Sequence, residues 1–176
     1  GPVRVFMRTR RAFISTSRQI EVLGAVDVES WTALYKSQNL EAPKVEKVAD
    51  IIGAKPKFGF VVFCDYKDTH SAVKRALIRR GMAKERVMIM AGDPPTRQII
   101  AEAFNRGEYD VIIGTTKIMG EGVNLQTRTE GIIHMDFPWE PASMRQREGR
   151  AVRQGNTVGH VKVSRLVTPG SADLLR

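Results

Sequence analysis

What most constrains this 176-residue chain is a run of short apolar segments separated by stretches of helical period. Phe58 to Cys64 reads Phe-Gly-Phe-Val-Val-Phe-Cys, nearly continuous and of strand length, as a strand covered on both faces requires. Arg86 to Met90, Val111-Ile-Ile and Gly131 to Asp136 repeat the pattern. Between them, Val73, Ala76 and Leu77 turn inward from a helix over Thr69 to about Arg80, with Asp68 as its cap and Gly81 as its stop. Gly92-Asp-Pro-Pro leads into a second helix, from about Thr96 to Asn105. Pro138 to Pro141 turns the chain into an arginine-rich segment, and the alternation of His160 to Val167 reads as an edge strand. Strands alternating with helices specify an α/β fold, a parallel sheet flanked by helices with right-handed crossovers. Ligands of such sheets bind beyond the carboxyl ends of the strands. The loops after Cys64, Met90, Gly114 and Asp136 should share that edge, and they carry Asp65, Tyr66, Gly92, Asp93, Thr115, Thr116 and Lys117.

Upstream, Val45, Val48, Ile51 and Ile52 give a helical period that Gly53 stops, followed by a turn at Pro56. Arg4 to about Gln19 carries Arg4, Arg8, Arg10, Arg11 and Arg18, with no acid before Glu21. Phe6, Met7, Phe13 and Ile14 are spaced for one helical face, so this stretch reads as an amphipathic basic helix, more simply a solvated face than a nucleic-acid contact. Gly24 to Ala42, with Trp31, Leu34 and Tyr35, reads as a second short helix and a connector. The expected organisation is an N-terminal basic helical extension over 1–42 and one domain over 43–176. Gly1-Pro2 has the form of a protease-cleavage scar.

A formal net charge of +9 points to a polyanion, nucleic acid first and nucleotide phosphate second. One cysteine, Cys64, excludes an internal disulfide and, with three histidines, argues against a structural zinc site. No metal site is expected in the chain. Cys64 reads as a small core residue. No apolar run approaches the roughly 18 residues of a membrane span, and the N-terminus lacks signal-peptide grammar. The expectation is a cytoplasmic setting without a membrane.

Two stretches carry chemistry. In Gly114-Thr-Thr-Lys-Ile-Met-Gly-Glu-Gly-Val-Asn-Leu125, Thr115 and Thr116 offer hydroxyls, Lys117 a charge, and Gly120 and Gly122 close backbone approach to an anion or sugar. The Walker pattern Gly-x-x-x-x-Gly-Lys-Ser/Thr is absent, so the chain cannot by itself hold triphosphate and magnesium. In Gln146-Arg-Glu-Gly-Arg-Ala-Val-Arg153, a helix places Gln146, Gly149, Arg150 and Arg153 within roughly 100° of arc. Met144, Ala151 and Val152 fall opposite, with Glu148 a sign that this side is not wholly dry. An interior Gly costs about 1 kcal/mol relative to Ala, so Gly149 points to a close approach to the backbone. Arg150 and Arg153 suit bidentate phosphate contacts. A solvated basic helix is the plainer reading of this stretch taken alone.

In order and context, Phe60 to Tyr66, Gly114 to Leu125 and Gln146 to Gly155 resemble the fourth, fifth and sixth motifs of superfamily-two helicases, most nearly those of Swi/Snf-like DNA translocases. Thr116 followed by Gly120-Glu-Gly-Val-Asn-Leu125 resembles the fifth motif, although Glu121 replaces the usual apolar residue. Gln146 to Gly155 resembles the sixth, with Asn156 in place of the final Gln. Asp136-Phe-Pro-Trp139-Glu-Pro141 is similar to that branch's Asp-x-x-Trp-Asn-Pro turn, Arg165 to Asp173 to the segment closing its second lobe, and Pro43-Lys44 to the lead-in. The resemblance implies a RecA-like helicase C-terminal lobe. Such a lobe works against an N-terminal RecA-like lobe of the same polypeptide, the two clamping one ATP whose Mg2+ is held mainly by the first lobe. It makes Arg150 and Arg153 arginine fingers and gives Gln146 the orienting of nucleotide or water. Gly122, Asn124 and Gly149 would lie at the nucleotide. Thr115, Thr116, Lys117, Asp65 and Tyr66 would lie along a DNA backbone, double-stranded and bound without sequence preference. The full-length protein would be a DNA-dependent ATPase, and this fragment alone inactive. A strand-separating DNA or RNA helicase lobe and a non-catalytic nucleic-acid-binding domain are the alternatives. Asp136 and Trp139 read as packing and turn residues, His134 as a core histidine, and His70 and His160 as exposed.

Overall fold

In a computed structural model the chain is described over residues 3–11, 21–26, 41–120, 123–136, 141–149 and 156–167. Strands β1 (Val3–Arg11) and β2 (Glu21–Val26) precede helix α1 (Pro43–Ile52). Then follow β3 (Gly59–Phe63), α2 (Lys67–Arg79), β4 (Val87–Ile89) and α3 (Pro94–Asn105). The chain continues with β5 (Val111–Gly114), α4 (Thr116–Gly120), β6 (Thr129–His134), α5 (Pro141–Gly149) and β7 (His160–Val167). The strands form one sheet in the order β2-β1-β7-β6-β3-β5-β4. From β7 to β4 every neighbour is parallel, while β1 runs antiparallel to both β7 and β2.

Alternate residues of the central strands feed two apolar layers, because successive side chains leave a strand on opposite faces. Phe60, Val62, Cys64, Val111, Ile113 and Ile133 pack with α1 and α2 through Val48, Ala49, Val73 and Leu77. On the other face Val61, Phe63, Ile112 and Ile132 pack with α3 and α4 through Ala101, Phe104 and Met119. The continuous apolar run of β3 therefore has the cause inferred for it: all of its residues are buried.

The N-terminal region departs from its expected form. Residues 3–11 are a strand, not a basic helix. Val3, Val5 and Met7 alternate with Arg4, Arg8 and Arg10, a period of two that the spacing of Phe6, Met7, Phe13 and Ile14 masked. What decides is tertiary: β7 would otherwise present a row of unpaired N–H and C=O groups, and β1 takes that row from Arg4↔Val167 to Arg11↔His160. For the same reason β7 is no edge strand. Its alternation is real, with Val161 and Val163 buried and His160 and Lys162 exposed, but its free edge is covered. The connector expected over 24–42 begins with the end of β2; the rest, from Asp27 to Leu40, lies outside the described residues.

Helix ends follow local chemistry. Asp68 is not the cap of α2: the helix begins one residue before it, after Tyr66, and Asp68 sits in the first turn, where its charge suits the helix dipole. Gly81 does end α2. With φ of 108° it lets its own N–H reach the Ile78 carbonyl and that of Met82 reach Leu77, a pair of bonds that closes the last turn. Asp93 caps α3, accepting from the Thr96 N–H at 3.0 Å.

Helices α1 and α2 are joined by a buried carboxylate. Glu46, fully buried, accepts from the Glu41 amide, Arg79 and Arg80. Burial alone would raise its carboxyl, but the hydrogen bonds from Arg79, the Glu41 amide and Arg80 outweigh it and hold the group below its ordinary 4.5. A folded-state value below the unfolded one contributes stability that is present above the unfolded value and lost as pH falls through the folded one. Glu46→Gln is expected to cost about 1.5–3 kcal/mol at neutral pH. It should also flatten the acid limb of the stability curve below about pH 4.5. Urea denaturation across that range checks both; an unchanged acid limb contradicts the assignment.

Candidate functional site

The parallel register brings Asp65, Thr116 and Asp136 to one edge of the sheet, immediately beyond β3, β5 and β6. Gly114 makes the turn from β5 to α4 tight. A Cβ there would lie 2.7 Å from the Met119 side chain, so only Gly lets α4 fold back directly onto the strand end. Thr115 caps α4, its hydroxyl accepting from the Ile118 N–H at 3.1 Å.

At the centre of this edge is Arg147, from α5, 1% exposed. Its Nε donates to Thr116 Oγ1 at 2.7 Å. Nη1 faces His134 Nδ1 at 3.3 Å and donates to the Asp136 carbonyl at 2.9 Å. Nη2 donates to Asp136 Oδ1 at 2.8 Å and to Asp65 Oδ2 at 3.1 Å. A guanidinium has five N–H donors, and each has a partner here. The group lies over the Phe63 ring, 5.2 Å from its centroid, and His134 stacks on the same ring. Because arginine only donates, His134 Nδ1 must accept, which puts the imidazole proton on Nε2. The two acids are tied to one another and to α4. The Asp65 N–H donates to Asp136 Oδ2 at 2.6 Å, and the Thr116 N–H and hydroxyl donate to Asp65 Oδ1 at 2.7 and 2.9 Å. The ring is open to solvent on one side, where the Asp65 side chain is 43% exposed.

The expected site residues do not all come together. Asp65, Thr115 and Thr116 are together at this edge, but their polar groups are used inside the fold. Tyr66 and Lys117, adjacent in the chain, are exposed, as is Gln146 beside Arg147. Asn124 belongs elsewhere. Its carbonyl accepts from Asn105 at the end of α3, toward the amino-terminal edge of the sheet. Asn156, the departure from the sixth motif, is at that edge too and has a packing explanation. Its side chain donates to the Gln126 and Thr129 carbonyls and accepts from the Val158 and Gly159 amides, joining the approach to β7 to the start of β6. Gly122, Arg150, Arg153 and Trp139 lie outside the described residues. At Gly149 an added Cβ would meet nothing within 4 Å, so packing among the described residues does not require glycine there.

Of the residues set aside earlier, Asp136 and His134 are the structural groups they were read as. His70 is not exposed: it is buried, with Nε2 2.6 Å from the Cys64 carbonyl. A histidine on the first turn of α2 looks solvated in sequence, and only the turn after β3 reveals its partner. Cys64 is a core thiol, pushed up to about 11 by burial and by the charge of Asp136. Arg147 is the residue the sequence reading passed over. The available signal was two acids, Asp65 and Asp136, at the ends of apolar strands with no assigned counter-charge. Among the described residues no group of three His, Cys, Asp or Glu is placed to hold a metal ion, and no helix is long and apolar enough to cross a membrane.

A parallel sheet with helices on both faces and its polar loops gathered at one edge is the architecture of RecA-like helicase C-terminal domains. The helicase conserved C-terminal domain matches residues 43–155, and the chain belongs to that family. It is 29% identical over 147 residues to YwqA of Bacillus subtilis, covering 82% of this chain and 15% of that protein. It is 38% identical over 77 residues to the DNA repair and recombination protein RAD26 of Saccharomyces cerevisiae, covering 44% of this chain and 7% of that one. The chain thus spans a small part of the curated relatives it matches. In fold it is similar to the C-terminal part of the Fun30 ATPase domain, with a TM-score of 0.65 at 19% identity over 86% of this chain and 53% of that one. It is similar as well to the Pyrococcus furiosus Hef helicase domain, with a TM-score of 0.60 at 22% identity over 83% of this chain and 30% of that one.

Removing Arg147 would leave Asp65 and Asp136 side by side without their counter-charge. Arg147→Met is therefore expected to lower stability by about 3–5 kcal/mol. Chemical denaturation measures it, and a loss below about 1 kcal/mol would mean that the guanidinium is not buried in this network.

Proposed function

We propose that this chain is the second lobe of an ATP-dependent, Swi/Snf-like DNA translocase, an intracellular, DNA-associated motor whose first lobe binds ATP and Mg2+. The observation that carries the reading is the anchoring of α5. Arg147 fixes the helix that opens the sixth motif to the loop that opens the fifth, while Gln146 beside it is exposed and, among the described residues, nothing lies within 4 Å of a Cβ placed on Gly149. A nucleotide held by a facing lobe fits that open side. There Arg150 and Arg153 reach the γ-phosphate, Gln146 orients the nucleotide or the attacking water, and Gly122 lies along the approach, while Asn124, toward the other edge, is left out of it. ATP, when bound, supplies the phosphoryl transfer; the arginines stabilise the charge that develops on it. The names of the relatives agree: YwqA is named as a candidate ATP-dependent helicase/translocase, and RAD26 for DNA repair and recombination.

The DNA grip lies at the carboxyl edge. Because the hydroxyls of Thr115 and Thr116 and the carboxylate of Asp65 are engaged internally, Lys117 and Tyr66 make the contacts and the others hold them in place. Lysine to phosphate carries no sequence information, so binding is nonspecific and weakens steeply with salt.

The isolated chain is expected to show no ATPase activity. In the full-length polypeptide, Arg150→Ala should lower DNA-stimulated hydrolysis by about 10³-fold or more with ATP binding largely retained. Unchanged turnover removes the finger assignment, robust turnover by the isolated chain removes the two-lobe reading, and a displaced strand in an unwinding assay favours a strand-separating helicase.

A further inference from the structure

We propose that Arg147 is the positioning residue that couples nucleotide state to DNA grip within this lobe. The proposal rests on the two-lobe reading above and adds a role to a residue which that reading leaves out. Charge alone does not account for the arrangement. Asp65 and Asp136 together could neutralise any cation, yet Arg147 also donates through Nε to a neutral hydroxyl, Thr116 Oγ1, and meets His134 Nδ1. One planar fork therefore registers α5 against the ends of three strands: β3 through Asp65, β5 through Thr116 and β6 through His134 and Asp136. The stack on Phe63 leaves the fork little freedom to rotate. Lysine, a point donor on a flexible stem, cannot reproduce this registry.

The position in the chain gives the registry its direction. Arg147 follows Gln146, and Arg150 and Arg153 follow on the same motif; Thr116 precedes Lys117, and Asp65 precedes Tyr66. Any displacement of α5 when the arginines that follow it in sequence engage a phosphate is passed by the fork to the two loops that hold Lys117 and Tyr66. Packed, fully bonded elements of this kind shift as a unit.

The test is a double-mutant cycle in the full-length polypeptide. It uses Arg147→Met, Thr116→Val and the pair, read as the ratio of ATP turnover at saturating duplex DNA to turnover without DNA. Each single change is expected to cut that ratio by on the order of tenfold or more, the scale of a small misplacement near reacting groups. The double variant should be no worse than the worse single one, because both break the same link. The apparent KM for ATP should stay within about threefold, since uniform nucleotide binding is not what is lost. A residue that only stabilises the fold reduces both turnovers alike and leaves the ratio unchanged, which would overturn the proposal. Effects that multiply in the double variant would overturn it as well. Should Arg147→Met not fold, Arg147→Lys replaces it in the same cycle with the same two outcomes. Arg150→Ala, run in parallel, separates the failures. Lost turnover there with a multiplicative cycle defeats the coupling alone, and normal turnover there defeats the finger assignment, the nucleotide end of the link.

Discussion

A guanidinium taken out of water governs the geometry of this lobe. A buried charge costs several kcal/mol unless every hydrogen-bonding position is filled and an opposite charge is close. Arg147 meets both conditions: its five donors face Thr116, His134, the Asp136 carbonyl, Asp136 and Asp65. Such a group adds little net stability over an apolar core of equal volume. Its effect is positional, because only one arrangement of β3, β5, β6 and α5 satisfies all five donors together.

The sheet was legible in the sequence because its signal is local. Strands buried on both faces must be largely apolar, and β3, β5 and the Gly131 to Ile133 centre of β6 are. Their parallel sense followed from the intervening helices, and the shared carboxyl edge followed from that, while the order of the strands did not. What could not be read was decided by distant partners. Residues 3–11 are compatible with helix or strand when taken alone, and the open edge of β7, some 150 residues away in sequence, settles them as β1. His70 and Glu46 are polar residues on helices that look solvated until α1, α2 and the turn after β3 close over them.

The candidate site was legible as a set of loops and less so as a set of contacts. Asp65 and Thr116 do meet, across 51 positions of sequence. Yet they meet each other and Arg147, and a sequence cannot distinguish a hydroxyl aimed at a phosphate from one spent on a neighbour. Asn124 shows the converse. It belongs to the same motif as Thr116 but lies toward the other edge of the sheet, so one stretch of twelve residues serves two surfaces. A family motif records an order along the chain, and the fold distributes that order between two edges of the sheet.

The interaction on which this account depends can be observed directly by nuclear magnetic resonance of the arginine side chains. With all five donors engaged and the plane stacked on Phe63, rotation of the Arg147 guanidinium is hindered. Its Nη protons should give separate signals with slow solvent exchange, while exposed side chains such as that of Arg145 give averaged ones. An averaged, rapidly exchanging signal from Arg147 would show a solvated side chain and contradict the account at its centre.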